Sequence, residues 1–111
     1  MRIRTTDEFA IWFDGLNKGE QKAVAKKVEM LNAEGTNLGF PASSVITHKE
    51  NDFGLRELRI GKNTIRVFYA FDDQSDAWLL IGGSKQGAKA KRFYDRMVKE
   101  ARDLFEEYTN G

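Results

Sequence analysis

Leu55-Arg-Glu-Leu-Arg-Ile60, Thr64-Ile-Arg-Val-Phe-Tyr-Ala-Phe71 and Ala77-Trp-Leu-Leu-Ile81 follow one another in the second half of the chain. Between them stand the turn formers Gly61-Lys62-Asn63 and Asp72-Asp-Gln-Ser-Asp76. Apolar residues recur with a period of two, and β-branched and aromatic types dominate, which predicts an antiparallel three-strand meander. A two-residue turn at Lys62-Asn63 sets Ile60 opposite Ile65, Arg59 opposite Arg66 and Leu58 opposite Val67. Leu58, Ile60, Ile65, Val67, Tyr69 and Phe71 then share the face that meets the helices. The other face carries Glu57, Arg59, Thr64, Arg66 and Phe68. A one-residue slip would bury the arginines and expose the apolar set, so the pattern selects this register.

Two facing arginines repel and weaken a sheet. Such a pair fits a face that takes an anionic ligand; the plain alternative is that Glu57, diagonal to the pair, neutralises it on a solvated surface. Arg66 is expected to point away from the helices, so that its removal leaves the fold intact.

Towards the N-terminus, Met1 to Arg4 is a candidate first strand. Thr5-x-x-Glu8 has the form of a capping box. Phe9, Trp12, Phe13 and Leu16 follow at i, i+3, i+4, i+7, one apolar helical face. Gly15 to Gly19 is a break containing Asn17. Glu20 to Glu34 resumes helical spacing through Val24, Val28 and Leu31, and Gly35 supplies a stop. The two segments form a helical hairpin. Gly35 to Gly54 is a loop with a possible strand near Val45 to His48. Towards the C-terminus, a helix from about Ala88 to Tyr108 carries the stripe Phe93, Met97, Ala101, Leu104, Tyr108. The order is an α+β domain in two layers: an N-terminal helical hairpin packed on a small antiparallel sheet, with a C-terminal helix.

With 111 residues, 41% of them apolar and 32% charged, the chain has the length and composition of one globular domain spanning 1–111. It has no cysteine, which excludes disulfides and thiolate-bound metals, and its single histidine leaves little for an imidazole metal centre. The longest apolar run, Ala77 to Gly83, is too short to cross a bilayer, and the first residues have no apolar leader. The expectation is a cytoplasmic protein without metal or cofactor. Net charge is +1, but unevenly spread: residues 54–99 carry 10 basic and 5 acidic groups, residues 1–53 carry 7 and 8, and residues 100–111 carry 1 and 4. A basic concentration inside a near-neutral chain predicts one surface that meets an anionic partner.

Three further features stand near that basic stretch. Gly82-Gly83-Ser84-Lys85-Gln86-Gly87 is glycine-rich, surrounds a lysine and leads to a helix, a setting that can cradle a phosphate although it lacks P-loop spacing. Lys89, Arg92, Arg96 and Lys99 line one helix face, with Tyr94 beside it, where a half-exposed ring can stack on a base or move a proton. His48, in the loop before the meander, is the one side chain whose ordinary pKa lies near neutrality.

Taken in order, Gly54-Leu-Arg-Glu-Leu-Arg59, Ile65-Arg-Val-Phe-Tyr-Ala-Phe-Asp72, Leu79-Leu-Ile-Gly-Gly-Ser-Lys85 and the helix through Arg92-Phe-Tyr-Asp-Arg-Met97 resemble the RelE/ParE toxin superfamily, in its phage-derived HigB-like branch. The resemblance spans nearly the whole chain. It implies a RelE-like fold and the toxin of a type II toxin–antitoxin pair. It further implies a ribosome-dependent, metal-independent endonuclease that cuts message by attack of the RNA's own 2′-hydroxyl on the adjacent phosphate. ParE members, which poison DNA gyrase without nuclease activity, are the alternative it leaves open. By position, Arg66 matches the strand arginine that contacts the scissile phosphate. Arg59 and Lys85 match basic positions on the neighbouring strands, and Tyr94 the late tyrosine used for stacking or proton transfer. Arg56, Lys62, His48, Lys89 and Arg92 are the further expected RNA contacts. Many relatives have two adjacent basic residues where this chain has Lys85-Gln86. The implied partners are the ribosome, messenger RNA and a helix-turn-helix, HigA-like antitoxin. The outer surface of the hairpin, with Lys18, Lys22, Lys26 and Lys27, is the expected antitoxin docking site.

Overall fold

In the computed structural model, which describes residues 2–61, 64–85 and 89–110, the chain runs β1 (Ile3–Thr5), α1 (Asp7–Asp14), α2 (Lys18–Glu34), a short 3-10 turn (Gly35–Asn37), β2 (Ser43–Val45), β3 (Arg56–Arg59), β4 (Ile65–Phe71), β5 (Ala77–Ser84) and α3 (Ala90–Asn110). The meander β3-β4-β5 is present, and its first hairpin has the expected register, with Leu58 opposite Val67 and Arg59 opposite Arg66. Lys62 and Asn63, assigned to the turn, lie outside the described residues. The sheet is larger than a meander. Its five strands are ordered β1-β5-β4-β3-β2, and β1 lies parallel to β5, so the sheet is mixed rather than antiparallel throughout. β2 begins two residues before the expected strand and adds the opposite edge.

The helix starts follow from side-chain capping. Thr5 is the last residue of β1 and pairs with Leu79, so the cap falls to Thr6 and not to Thr5. The Thr6 hydroxyl accepts from Phe9 N at 2.9 Å and donates to the Leu80 carbonyl at 2.6 Å, tying α1 to the sheet. Asn17 and Glu20 form a reciprocal capping box that starts α2 within the expected break. Gly35 ends α2 at φ +57°, a conformation glycine reaches without a Cβ clash.

The layers differ from the expectation. α1 and α2 cover one sheet face, over Leu58, Ile60, Ile65, Val67, Tyr69 and Leu79. The second face is not open: Phe68, Ala70, Trp78 and Leu80 pack under Phe93, Met97, Val98, Ala101 and Leu104 of α3. The domain is therefore helix–sheet–helix, in three layers. The sequence hides this because the second face is apolar at one end and charged at the other.

β5 contains a bulge. Phe68 faces Ile81 and the next residue, Tyr69, faces Leu79, so Leu80 is an extra residue. Both Leu80 and Ile81 turn towards α3. Beyond the bulge the facing is inverted: a Cβ at Gly82 would run into the Trp12 ring of α1, whereas one at Gly83 would meet Met97 Cε at 3.0 Å. These glycines belong to the strand and admit the helices on either side. They do not form a phosphate-cradling loop, and Gln86 and Gly87 of that expected loop lie outside the described residues. Among the described residues no helix is long and apolar enough to cross a membrane.

Candidate functional site

At the charged end of the α3 face, a carboxylate stands between the two arginines. Alternation along β3 puts Glu57 and Arg59 on this face, and β4 adds Arg66 from the adjacent strand. Glu57 Oε2 is 3.7 Å from Arg59 Nη1, and Glu57 Oε1 is 3.4 Å from Arg66 Nε. The Ser44 hydroxyl of β2 donates to Glu57 Oε2 at 3.1 Å, and the Tyr94 hydroxyl of α3 donates to Oε1 at 2.7 Å. One buried carboxylate thus ties β2, β3, β4 and α3 together. Facing arginines are tolerated here because Glu57 offsets their repulsion, as its diagonal position suggested.

Exposure separates the two arginines. The Arg59 side chain is 35% exposed and its guanidinium lies 5.8 Å from the ring of Phe40, itself an exposed aromatic. The Arg66 side chain is 6% exposed; Nη1 donates to the Ile65 carbonyl at 2.9 Å. The expectation that Arg66 stands on an open face is corrected: α3 and Tyr94 lie over it, and its loss would disturb the fold. Lys85, at the end of β5, is held by its backbone N–H to Thr64 O at 3.1 Å and places Nζ 5.8 Å from the centroid of the Tyr94 ring. Arg59, Arg66, Lys85 and Tyr94 are therefore brought together.

Tyr94 is the group with the largest perturbation at this site. Burial pushes its phenol up to about 12, and the hydrogen bond to Glu57 and that carboxylate's charge add to the effect, while Arg66 opposes it. The phenol is protonated at neutral pH and has a proton to give rather than a place to take one. Because the folded state holds this proton more tightly, Tyr94 contributes stability that is intact below its ordinary value of 10.0 and is lost as pH rises towards about 12. A phenolate absorbance step near pH 12, missing in Tyr94→Phe, is the expected result; ionisation at or below the ordinary value would refute this placement.

His48 borders the cluster. The Glu50 N–H donates to His48 Nδ1 at 3.1 Å, so a neutral ring carries its proton on Nε2, which meets Asp95 Oδ1 at 2.7 Å. Lys91 Nζ donates to the other Asp95 oxygen at 3.0 Å. These bonds from His48 and Lys91 hold the Asp95 carboxyl below the usual carboxylate range.

The remaining expected RNA contacts are dispersed. Arg56 points to the opposite face, where it donates to the Leu38 carbonyl at 3.2 Å and approaches Ser43 Oγ and Tyr69 Oη at 3.3 Å each. That is a structural brace behind the sheet, away from the cluster. Lys89 and Arg92 are exposed at the start of α3, and Lys62 is among the residues not described. Sequence reasoning treated Glu57 only as a neutraliser and passed over Ser44, Phe40 and Asp95. The one advance signal was the place of Glu57, alternating with Arg59 and diagonal to Arg66. Among the described residues no three His, Cys, Asp or Glu side chains gather as a metal site.

Comparison with known proteins bears on the family and the fold. Residues 11–106 match the family described as phage-derived, Gp49-like protein. The HigB3 protein of Mycobacterium tuberculosis, named for a toxin role, is 37% identical over 90 residues, which cover 78% of this chain and 75% of that protein. Among solved structures, the archaeal RelE-RelB complex from Pyrococcus horikoshii aligns with a TM-score of 0.61 at 16% identity, over 78% of this chain and 97% of that one. The toxin-antitoxin complex RelBE2 of M. tuberculosis aligns at 0.56 and 17%, over 75% and 95%. At those identities the two structures establish a shared RelE-like fold.

Proposed function

The chain belongs to the phage-derived Gp49-like family, and from that premise we propose that it is the toxin of a type II toxin–antitoxin pair and cleaves ribosome-engaged message. The observation that carries this reading is the Arg59–Glu57–Arg66 bridge capped by Tyr94, with Lys85 beside it. Cutting RNA by its own 2′-hydroxyl needs little from a protein beyond alignment, charge for the phosphorane-like transition state, and a proton acceptor and donor. In this reading Arg59, the more open arginine, and Lys85 meet the scissile phosphate, and Arg66 adds fixed positive charge beneath it. Guanidiniums suit the task because they stay charged and fork onto phosphate oxygens.

The bond from the 2′-oxygen to phosphorus forms as the bond to the 5′-oxygen breaks. In this reading Glu57 receives the 2′-hydroxyl proton once the RNA replaces one of its present partners. Tyr94, still protonated at neutral pH, is the donor for the departing 5′-oxygen. The reaction uses no metal. A cytoplasmic, HigA-like helix-turn-helix antitoxin would restrain it. Support for a protein partner comes from the two RelE-fold neighbours solved as complexes. The exposed lysines of α2, Lys18, Lys22 and Lys26, offer a docking surface on the far side of the sheet from the cluster.

Mapping of 5′ ends in message from induced cells tests the reading. Discrete cuts within coding frames are expected. Intact message together with altered plasmid supercoiling would overturn it in favour of a gyrase poison.

A further inference from the structure

At the far end of the sheet from the arginine cluster, a cavity of about 590 Å³ opens between the turn that joins β4 to β5 and the last turns of α3. Phe71, which lines it, stands at the opposite end of β4 from Arg66, roughly 16 Å away at the rise of a strand. The volume falls in the roughly 300–1,000 Å³ range of ligand pockets. Much of the lining is aromatic: Phe53, Phe71, Trp78, Phe105 and Tyr108. Trp78 and Tyr108 lie 5.5 Å apart between centroids, and so do Phe53 and Phe105. The Tyr108 hydroxyl is already engaged, accepting from the Asp7 N–H at 2.9 Å and donating to Glu8 at 2.9 Å. Its ring is therefore what it presents to the cavity.

The polar part of the lining is negative. Arg4, on β1, is matched by Asp76 at 3.0 Å. That leaves Asp72 and Asp73. Asp72 accepts from Trp78 Nε1 at 2.9 Å and from the N–H groups of Gln74 and Asp76, which are uncharged donors. Asp73 is exposed in the turn and has no ion-pair partner among the described residues. The turn Asp72-Asp-Gln-Ser-Asp76 contains no basic residue, and residues 100–111, which run through the end of α3, carry 4 acidic groups to 1 basic.

Arg4 shows what such a wall takes. Its guanidinium lies 5.5 Å from the centroid of the Trp78 ring while its Nε meets Asp76. One guanidinium already joins an aromatic face to a carboxylate here, and the cavity keeps further rings and a further carboxylate without a cation between them. A guanidinium stacks on aromatic faces and forks onto carboxylates, whereas an ammonium is compact and more strongly hydrated. Gln74 and Asn110, both exposed, bring side-chain amides to the cavity, and these suit the N–H and C=O groups of a peptide backbone.

We propose that this cavity seats an arginine of a partner polypeptide, its guanidinium against the Trp78 and Tyr108 rings and paired with Asp73. A segment held here leaves Arg59 and Lys85 uncovered. The proposal does not depend on the nuclease reading.

The test is a titration of the wild-type protein with the blocked peptide acetyl-Gly-Arg-Gly-amide, following the two indole N–H signals by NMR. Trp78 reports the cavity and Trp12, under the other sheet face, is the internal control. The Trp78 signal is expected to shift saturably while Trp12 stays fixed. The same peptide with citrulline for arginine has nearly the same shape and no charge, and it should bind about tenfold more weakly, the equivalent of a lost charge-assisted hydrogen bond. Asp73→Asn, an exposed change that leaves the fold intact, should weaken the arginine peptide about fivefold, as expected of one exposed ion pair. Equal binding of the arginine and citrulline peptides, undiminished binding to Asp73→Asn, or no saturable shift at Trp78 would each overturn the site. Spermidine is the remaining arm: binding tighter than that of the arginine peptide would overturn the polypeptide occupant in favour of a free polyamine.

Discussion

Arg66→Ala is expected to end growth arrest and lower the melting temperature at the same time. Loss of a charge-stabilising group at a phosphoryl-transfer site costs on the order of 10²–10³ in rate. The same change removes one partner from a buried bridge, since Arg66 and Glu57 are each 6% exposed. Deleting one side of a buried pair costs about 3 kcal/mol when the other charge is left alone; Glu57 keeps Arg59 at 3.7 Å and the Ser44 and Tyr94 hydroxyls, so a smaller loss is expected. The two effects are separable. Adding Glu57→Gln removes the stranded charge and keeps side-chain oxygen and nitrogen near Tyr94 and Ser44. The double variant should therefore regain much of the melting temperature; because Glu57 is itself the proposed proton acceptor, the rate effect of Arg66 is read from the single Arg66→Ala protein. Circular dichroism melts read the first and 5′-end mapping the second. A folded Arg66→Ala protein that arrests growth at wild-type potency would refute the role given to Arg66.

Gly82→Ala should be the most damaging single-methyl change outside the charged cluster. Its Cβ would fall inside the Trp12 ring, and that ring already packs in the core beside Phe9, 5.7 Å between centroids. Overpacking of this kind costs about 1–3 kcal/mol, which for a domain near this size is a fall of roughly 5–20 °C in melting temperature. Gly83→Ala should cost less, because its contacts are longer: the flexible end of Met97 at 3.0 Å and Phe93 Cε1 at 3.2 Å. Trp12→Leu combined with Gly82→Ala should recover part of the loss, since the two positions share one volume. A Gly82→Ala protein that melts with wild type would show that α1 does not sit where described.

The period of two in Leu58, Ile60, Ile65, Val67 and Tyr69 was enough to read the meander, the register of its first hairpin and the face under α1 and α2. Arg59 opposite Arg66 was legible for the same reason, and so was the possibility that Glu57 neutralises them. The burial of Arg66 was not. It depends on where α3 crosses the sheet, which is a packing outcome involving Phe68, Phe93 and Met97 rather than a local pattern. Arg56 shows the converse: expected as an RNA contact, it faces the hairpin side because strand parity separates it from Glu57 by one step. Gly82 and Gly83 read as a loop because glycines usually mark turns, yet here two helices need the space. The pairing of His48 with Asp95 joins residues 47 apart in sequence, and no spacing rule reports it.

Leu80 acts on β5 as a phase slip acts on a wave. Upstream of it, odd-numbered positions look towards the hairpin; downstream, even-numbered ones do. Both halves of the strand therefore face both helix layers, with the parity of their residues exchanged between them. For anyone aligning relatives, the practical result is that one gap in β5 matters more than many substitutions. A match that carries the alternation straight through would assign Gly82, Gly83 and the residues leading to Lys85 to the wrong sides of the sheet.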